Sequence, residues 1–435
     1  MKQDDKFLRL RLKGLSSKDS NYWEFRRQAT RNGVHGMLQY PAMMVPQMQR
    51  DVLKLLLEAR PEASRILDPF VGSGTVMTES MVAGRPFTGV DINPLAILTC
   101  RAKSHIRRYK LLKKKITALT ISILSGERQD IDIEFFGRDK WFTRQALISL
   151  SRIRQSIQKE PDQWARDIFW TTLAETVRQT SNSRTSTYKL HLRPAHEIER
   201  LPDPVAVFLS RLTAVYEQFE YHGSSLSTNS NCSRAKPLLH CDSIMNLASY
   251  GRSKFSLVVT SPPYGDNHST VPYGQFSYLA LSWIDAGDLP GNETKKLNTR
   301  SVDTGSLGGS AVFPNDACRE LEDSSPSFKA FIAELRLQGR TDLEKKVISF
   351  SNDFFQSIKV IVNAMDDGGY AAWTLGNRTV GGLTVPLTDI CRELHHVCGA
   401  RHVDTVRRKI PSKRTPSRNS ISETMSSECL LLVGT

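Results

Sequence analysis

A strand, a glycine-rich turn, a helix and a second strand ending in an acid follow one another across residues 65–91, and that order leaves few folds open. Arg65 to Leu67 reads as the end of a strand, and Val76 to Ala83 as a helix closed by Gly84. Pro86 to Val90 reads as the second strand, ending at Asp91. Between strand and helix runs Asp68-Pro69-Phe70-Val71-Gly72-Ser73-Gly74-Thr75. Glycines at 72 and 74 permit a tight strand-to-helix turn and let a ligand come close to the backbone. An acid at the end of the second strand stands where a doubly wound sheet grips a ribose diol. The sequence therefore predicts an α/β chain on a Rossmann-like sheet with helices on both faces.

The loop lacks the marks of a phosphate site. A phosphate loop needs Gly-Lys-Ser/Thr, whereas Gly74 precedes Thr75 and Val76. A dinucleotide fingerprint wants a third glycine where Met77 stands. A ligand with a ribose but no phosphate fits better, and S-adenosylmethionine is one. Asp68 would face its ammonium, directly or through water, and Asp91 its ribose hydroxyls.

Some 190 residues downstream, the apolar run Phe255 to Val259 ends in Thr260-Ser261-Pro262-Pro263-Tyr264. Two prolines in a row stop the sheet ladder and hold the chain extended. That frees the Ser261 hydroxyl and the Pro262 carbonyl as acceptors, with the Tyr264 ring after them. The combination suits an exocyclic amino group on a nucleobase stacked on Tyr264.

With both motifs in hand, the chain resembles the amino-group DNA methyltransferases, especially the N4-cytosine-specific ones. Asp68 to Thr75 is similar to their cofactor loop, and Ser261-Pro262-Pro263-Tyr264 to their catalytic motif. His35 to Pro46, which includes Tyr40 and Pro41, resembles the segment packed beside the cofactor. The resemblance implies that Phe70, Gly72, Ser73, Gly74 and Thr75 hold S-adenosylmethionine together with Asp91 and Ile92. It also matches Asp242, followed by Ser243, to the acid of the third strand that approaches the adenine. Val271 to Ser277 and Arg408 to Arg414 look similar as well. Residues 101–235 and 285–345 carry no comparable likeness.

The chemistry this implies is direct transfer. Acceptors at Ser261 and Pro262 hold the two N–H bonds of cytosine N4 and favour a pyramidal nitrogen whose lone pair faces the methyl sulfonium. Alignment within roughly 3–3.5 Å supplies much of the catalysis. A ring-carbon methyltransferase would need a Pro-Cys nucleophile, and no Pro-Cys occurs. A paired base has to be flipped out first. Ser261 favours cytosine, since adenine enzymes more often carry Asp or Asn there. An N6-adenine enzyme, an RNA base methyltransferase and a catalytically silent DNA-binding subunit stay open as alternatives.

Composition agrees. The net charge is +14 with a pI near 9.5, which favours a polyanionic partner, here duplex DNA. Residues 101–240 hold 24 Lys and Arg against 14 Asp and Glu. Seven cysteines without a Cys-x-x-Cys pair indicate reduced thiols and no zinc site or other metal. No run approaches the ~20 apolar residues of a membrane span. A cytoplasmic, nucleoid-associated protein is expected. A cognate restriction endonuclease or wider defence system is a companion that genomic context decides.

The expected layout is a methyltransferase domain split by an insert. Residues 1–100 carry the cofactor loop, after a helix over Val45 to Ala59. Residues 101–235 form a mainly helical, DNA-recognising insert with helices over Leu111 to Leu124, Thr143 to Gln158 and Trp164 to Thr180. Its polar tract, Ser181 to Lys189, offers Arg184 and Lys189 to phosphates. A Ser/Asn-rich linker, Gly223 to Ser233, returns to a third strand near Leu238 to Cys241. Residues 236–435 complete the sheet. They include a second insert at about 285–345, whose Ser306-Leu307-Gly308-Gly309-Ser310 looks mobile and able to close over a flipped base. Next come a helix over Ser351 to Met365 that ends at Asp366 to Gly369, a strand at Tyr370 to Leu375 and a helix over Val385 to His396. A terminal hairpin, Val403 to Arg408 with Cys429 to Val433, frames a basic loop where Arg408, Lys409, Lys413 and Arg414 contact phosphates.

Overall fold

The computed structural model describes residues 2–25, 32–126, 130–228, 236–251, 254–265, 271–291, 298–310, 312–410 and 427–435. Nine strands are present among them: β1 Ile66–Asp68, β2 Phe87–Asp91, β3 Leu238–Cys241, β4 Phe255–Thr260, β5 Met365–Leu375, β6 Thr379–Val380, β7 Leu383–Thr384, β8 Arg401–Lys409 and β9 Ser427–Gly434. Seven form one sheet in the order β3-β2-β1-β4-β5-β9-β8, and β6 with β7 makes a small ribbon. The first five strands of the sheet run parallel, and the β8–β9 hairpin joins β5 antiparallel through β9. Strand order reverses between β1 and β4. In an open α/β sheet, ligands bind at such a switch point, beyond the carboxyl ends of the strands.

Side chains alternate between the two faces along each strand. Ile66, Leu257, Val259, Tyr370 and Ala372 pack with the helices Gln3–Lys18, Pro46–Ala59 and Thr75–Val82. Leu67, Val258, Ala371 and Trp373 point the other way, against the helices Pro326–Leu337, Thr341–Asn363 and Leu387–Val397. The fold is an α/β, Rossmann-like sheet with helices on both faces.

The helices of the first insert lie at Tyr109–Leu124, Arg144–Gln158, Gln163–Thr180 and Pro204–Thr228. Thr143 caps one of them by accepting the Ala146 N–H. They share a single apolar core with Leu95, Leu98, Tyr278 and Trp283, so the insert is fused to the sheet's own helices.

Three expectations change. The Gly223 to Ser233 linker is helix as far as Thr228, and residues 229–235 lie outside the described residues. Asp366 to Gly369, expected to end the helix, falls within the bounds of β5 as a bulge, where the pairing with β4 shifts register between Phe255 and Leu257. The helix expected from Ser351 begins at Thr341, and Phe328, Phe331, Ile332 and Leu335 of the second insert are buried against it. No helix of the described residues is long and apolar enough to cross a membrane.

Candidate active site

The carboxyl ends of β1, β2, β3 and β4 open into one cleft whose empty space, counted out to open solvent, is about 840 Å³. Tyr40, Pro41, Phe70, Gly72, Ser73 and Thr75 line it, with Asp91 and Ile92 beside them. Asp242, Ser243, Ser261 and Pro263 complete its other side. Asp68, Gly74, Pro262 and Tyr264 adjoin these residues in sequence without lining the cleft themselves; the first three are buried and Tyr264 is half-buried.

Backbone geometry explains the loop. Gly72 and Gly74 have φ of 49° and 77°, and Gly74 caps the helix Thr75–Val82. A Cβ on Gly74 would sit 2.8 Å from Cys100 Sγ, so glycine is required twice over. From beneath, the helix Pro94–Ser104 holds the loop by two side chains one turn apart. Cys100 Sγ bonds the Gly72 carbonyl at 3.4 Å, and Lys103 Nζ donates to the Ser73 carbonyl at 2.6 Å. Lys103 is fully buried, and that burial lowers its ammonium to about 8. Asn93 starts this helix by accepting the Leu95 N–H. Its amide also donates to Tyr40 Oη at 2.9 Å and Ser277 Oγ at 2.8 Å.

Three acids mark the cleft. Asp91 Oδ2 accepts the Gly72 N–H and Oδ1 the Asn93 N–H, both at 2.9 Å. Burial lifts its carboxyl to about 6 despite these bonds. Asp68 Oδ1 accepts the Thr260 hydroxyl at 2.7 Å and the Phe70 N–H at 3.2 Å. Its Oδ2 is sealed away with no hydrogen-bond partner among the described residues, and burial lifts this carboxyl to about 7. Asp242 differs. Burial opposes its charge, but hydrogen bonds from Tyr250, Asn246 and the Ser243 N–H together hold it below the usual carboxylate range. An orphaned buried oxygen on Asp68 and a part-buried acid at the carboxyl end of β2 fit a ligand that brings an ammonium group and a ribose diol.

Ser261 and Tyr264 meet at 3.1 Å through their hydroxyls. Tyr264 Oη also donates to Glu428 Oε1 at 3.3 Å. Arg408 departs from its expected place on a phosphate-contacting loop. It lies directly opposite Glu428 in the β8–β9 pairing, is 6% exposed, and donates to Glu428 Oε2 at 3.1 Å. An arginine that deep needs an anion beside it, which Glu428 supplies next to the Ser261 to Tyr264 segment. Lys409 is exposed; Lys413 and Arg414 lie outside the described residues. Ser306 to Ser310 is fastened rather than loose, since the Gly308 N–H bonds Asp353 at 2.9 Å and Ser306 Oγ bonds the Asp303 carbonyl. Val302, Gly305, Ser306 and Leu307 form one wall of the cleft.

Arg184 and Lys189 are exposed on a turn bridged at Ser183 and Leu192. That turn packs on the helix Tyr273–Trp283: the Leu190 N–H reaches Gln275 at 3.2 Å, and the Tyr188 and Phe276 rings touch edge to face. Phe276 in turn meets Tyr40 of the cleft. Ser306 and Leu307 fall in the segment expected to close over a flipped base, whereas Lys103, Asn93, Glu428, Val302 and Gly305 were not legible as site residues. Their one local signal is the i, i+3 spacing of Cys100 and Lys103 on a helix that starts just after Asp91. Among the described residues, no three His, Cys, Asp or Glu side chains gather as a metal site would need.

No family model matches the chain. A type II methyltransferase of Kocuria varians, M.MvaI, is 32% identical over 95% of this chain and 94% of its own length. The type II methyltransferase M.BsoBI of Geobacillus stearothermophilus is 24% identical, over 59% of this chain and 54% of its own. Among solved structures, an rRNA methyltransferase from Streptomyces viridochromogenes matches 91% of this chain and 86% of its own at 9% identity and a TM-score of 0.30, too loose a likeness to bear on function. On an identity of 32% over 95% of its length, this chain belongs to the type II methyltransferases.

Proposed function

We propose that the protein methylates the exocyclic N4 of a cytosine flipped out of duplex DNA at a specific site. The observation that carries this reading is the meeting of Ser261, at the end of β4, with the glycine loop and Asp91 in one cleft. S-adenosylmethionine, when bound, supplies an electrophilic methyl group on a sulfonium. Asp91 would accept the ribose hydroxyls, and the buried Asp68, whose Oδ2 has no partner among the described residues, would act on the ammonium through water. Asp242 and Ser243 close the cleft near the adenine.

Ser261 Oγ and the Pro262 carbonyl accept the amino N–H bonds. They stabilise the positive charge that develops on nitrogen, a task for acceptors rather than donors. Tyr264 offers its ring to the flipped base. The exposed Arg184, Lys189 and Lys409 are suited to phosphates, which position a duplex without reading it. A cognate restriction endonuclease fits the family context.

Mass spectrometry of nucleosides from DNA incubated with S-adenosylmethionine tests the reading, with Ser261→Ala and Asp91→Ala alongside. N4-methylcytosine lost in both variants supports base and sites together. N6-methyladenine keeps the mechanism and overturns the base. A folded protein that binds S-adenosylmethionine but modifies no DNA overturns the substrate.

A further inference from the structure

The catalytic motif does not end at its own four residues. From Ser261 Oγ a chain of hydrogen bonds runs through Tyr264 Oη at 3.1 Å to Glu428 Oε1 at 3.3 Å, and Glu428 Oε2 closes it on Arg408 at 3.1 Å. Glu428 and Arg408 come from β9 and β8, over 140 residues from the motif in sequence. The Arg408 side chain is 4% exposed and that of Glu428 19%. A guanidinium so buried requires an anion beside it, so Glu428 is a carboxylate with no proton to give.

That fixes the direction of every bond in the chain. Tyr264 has one hydroxyl proton and gives it to Glu428. Its oxygen can then only accept from Ser261, whose single proton is thereby spent. Ser261 is left facing the cleft with lone pairs alone. An acceptor is what an amino group needs there, whereas a serine free to rotate would offer a donor part of the time.

We propose that Glu428 is a positioning residue of the active site, which fixes Ser261 as an acceptor through Tyr264 and receives along the same chain the proton that the amino group sheds. This rests on the amino-methylation reading above. In that reaction an N–C bond forms and the donor's S–C bond breaks, its electron pair staying on sulfur. The nitrogen then carries one proton too many. That proton passes to Ser261 Oγ, the Ser261 proton to Tyr264 Oη, and the Tyr264 proton to Glu428, which ends as a neutral acid. Burial raises the Glu428 carboxyl above its ordinary value, so it is a better terminal base than a surface glutamate. The ionisable groups facing it are Arg408 from β8, which opposes that rise, and Tyr264 from the motif.

The test compares Glu428→Gln and Tyr264→Phe with wild type in kcat, in KM for DNA, in S-adenosylmethionine affinity and in the carboxyl infrared spectrum of the unloaded protein over pH. Both variants are expected to lose kcat by about 10²-fold, the lower end for general acid–base groups, with KM and cofactor affinity little changed. The acid limb of the wild-type kcat profile assigned to Glu428 disappears in Glu428→Gln. One buried carboxyl band is missing in Glu428→Gln and displaced in Tyr264→Phe, independently of turnover. Because Glu428→Gln strands Arg408, Glu428→Gln with Arg408→Met serves as a second variant that removes the orphaned charge and stays slow. Wild-type kcat in either folded variant overturns the proposal, as does a loss carried by KM alone. A wild type that methylates no DNA overturns the reading of function instead, while the displaced or unmoved infrared band still decides whether the hydroxyl chain exists.

Discussion

Asp68 shows how a single buried acid ties binding to pH. Its carboxyl sits at about 7 because burial outweighs the bonds from Thr260 and Phe70. The folded value lies above the unfolded one, so between roughly pH 4 and 7 the unfolded chain has released a proton that the folded chain keeps. Asp68 therefore contributes less to stability as pH rises through that window. Ligand binding runs the other way, because an ammonium favours the carboxylate. S-adenosylmethionine affinity is expected to rise as pH climbs towards 7 and then level off, with that slope flattened in Asp68→Asn; calorimetric titration across pH checks it. Gly74 gives a second prediction. Gly74→Ala meets both a positive φ and Cys100 Sγ, and is expected to cost about 1–3 kcal/mol. Adding Cys100→Ala should recover the steric part only, as urea denaturation will read. Both residues were legible in the sequence because loop, acid and glycines are contiguous. Glu428 was not, since its link to the motif runs to Tyr264, over 160 residues earlier in the chain.

Elements succeeded or failed as sequence signals by how local their causes were. The helices Arg144–Gln158 and Gln163–Thr180 were visible from their apolar spacing, and Leu238–Cys241 from its apolar run. The 25-residue helix Pro204–Thr228 was hidden, because Gly223 and the serines after it look like a linker. Gly223 is there for another reason. A Cβ on it would stand 2.5 Å from the Tyr109 ring and 2.8 Å from the Ile106 carbonyl, so the glycine lets this helix press against the Ile106–Arg108 turn. Gly to Ala inside a helix ordinarily gains about 1 kcal/mol. Gly223→Ala is expected to lose stability instead, and a lowered melting temperature checks the sign.

At the scale of the whole molecule, the insert shares its core with helices that flank the sheet. Trp164, Phe169 and Trp170 share a core with Leu95 of the cofactor side and Trp283 downstream of the catalytic motif. Calorimetry is expected to show a single unfolding transition rather than separate ones for the sheet and the insert. The basic excess was legible from composition, but its use was not. Much of it is consumed internally, as in Arg101 with Asp167, Arg166 with Asp288 and Arg178 with Glu175. Arg184 and Lys189 are exposed, and replacing both by alanine is expected to weaken DNA binding and shallow its salt dependence by about one to two ion equivalents. Binding isotherms over a salt series check this.

The hydrogen bond from Thr260 to Asp68 joins the last residue of β4 to the last residue of β1. Those strands are ladder neighbours, with Leu67 opposite Val258. In the proposed reaction one strand end carries the methyl donor and the other the amino group. The gap between them is then gauged by a strand spacing of about 4.8 Å, which every backbone bond of the ladder enforces. The sheet serves as a ruler: a slip of one residue, about 3.3 Å, would exceed the tolerance of the transfer, so tuning the enzyme to a new target site has to be left to the inserts while the ruler stays untouched.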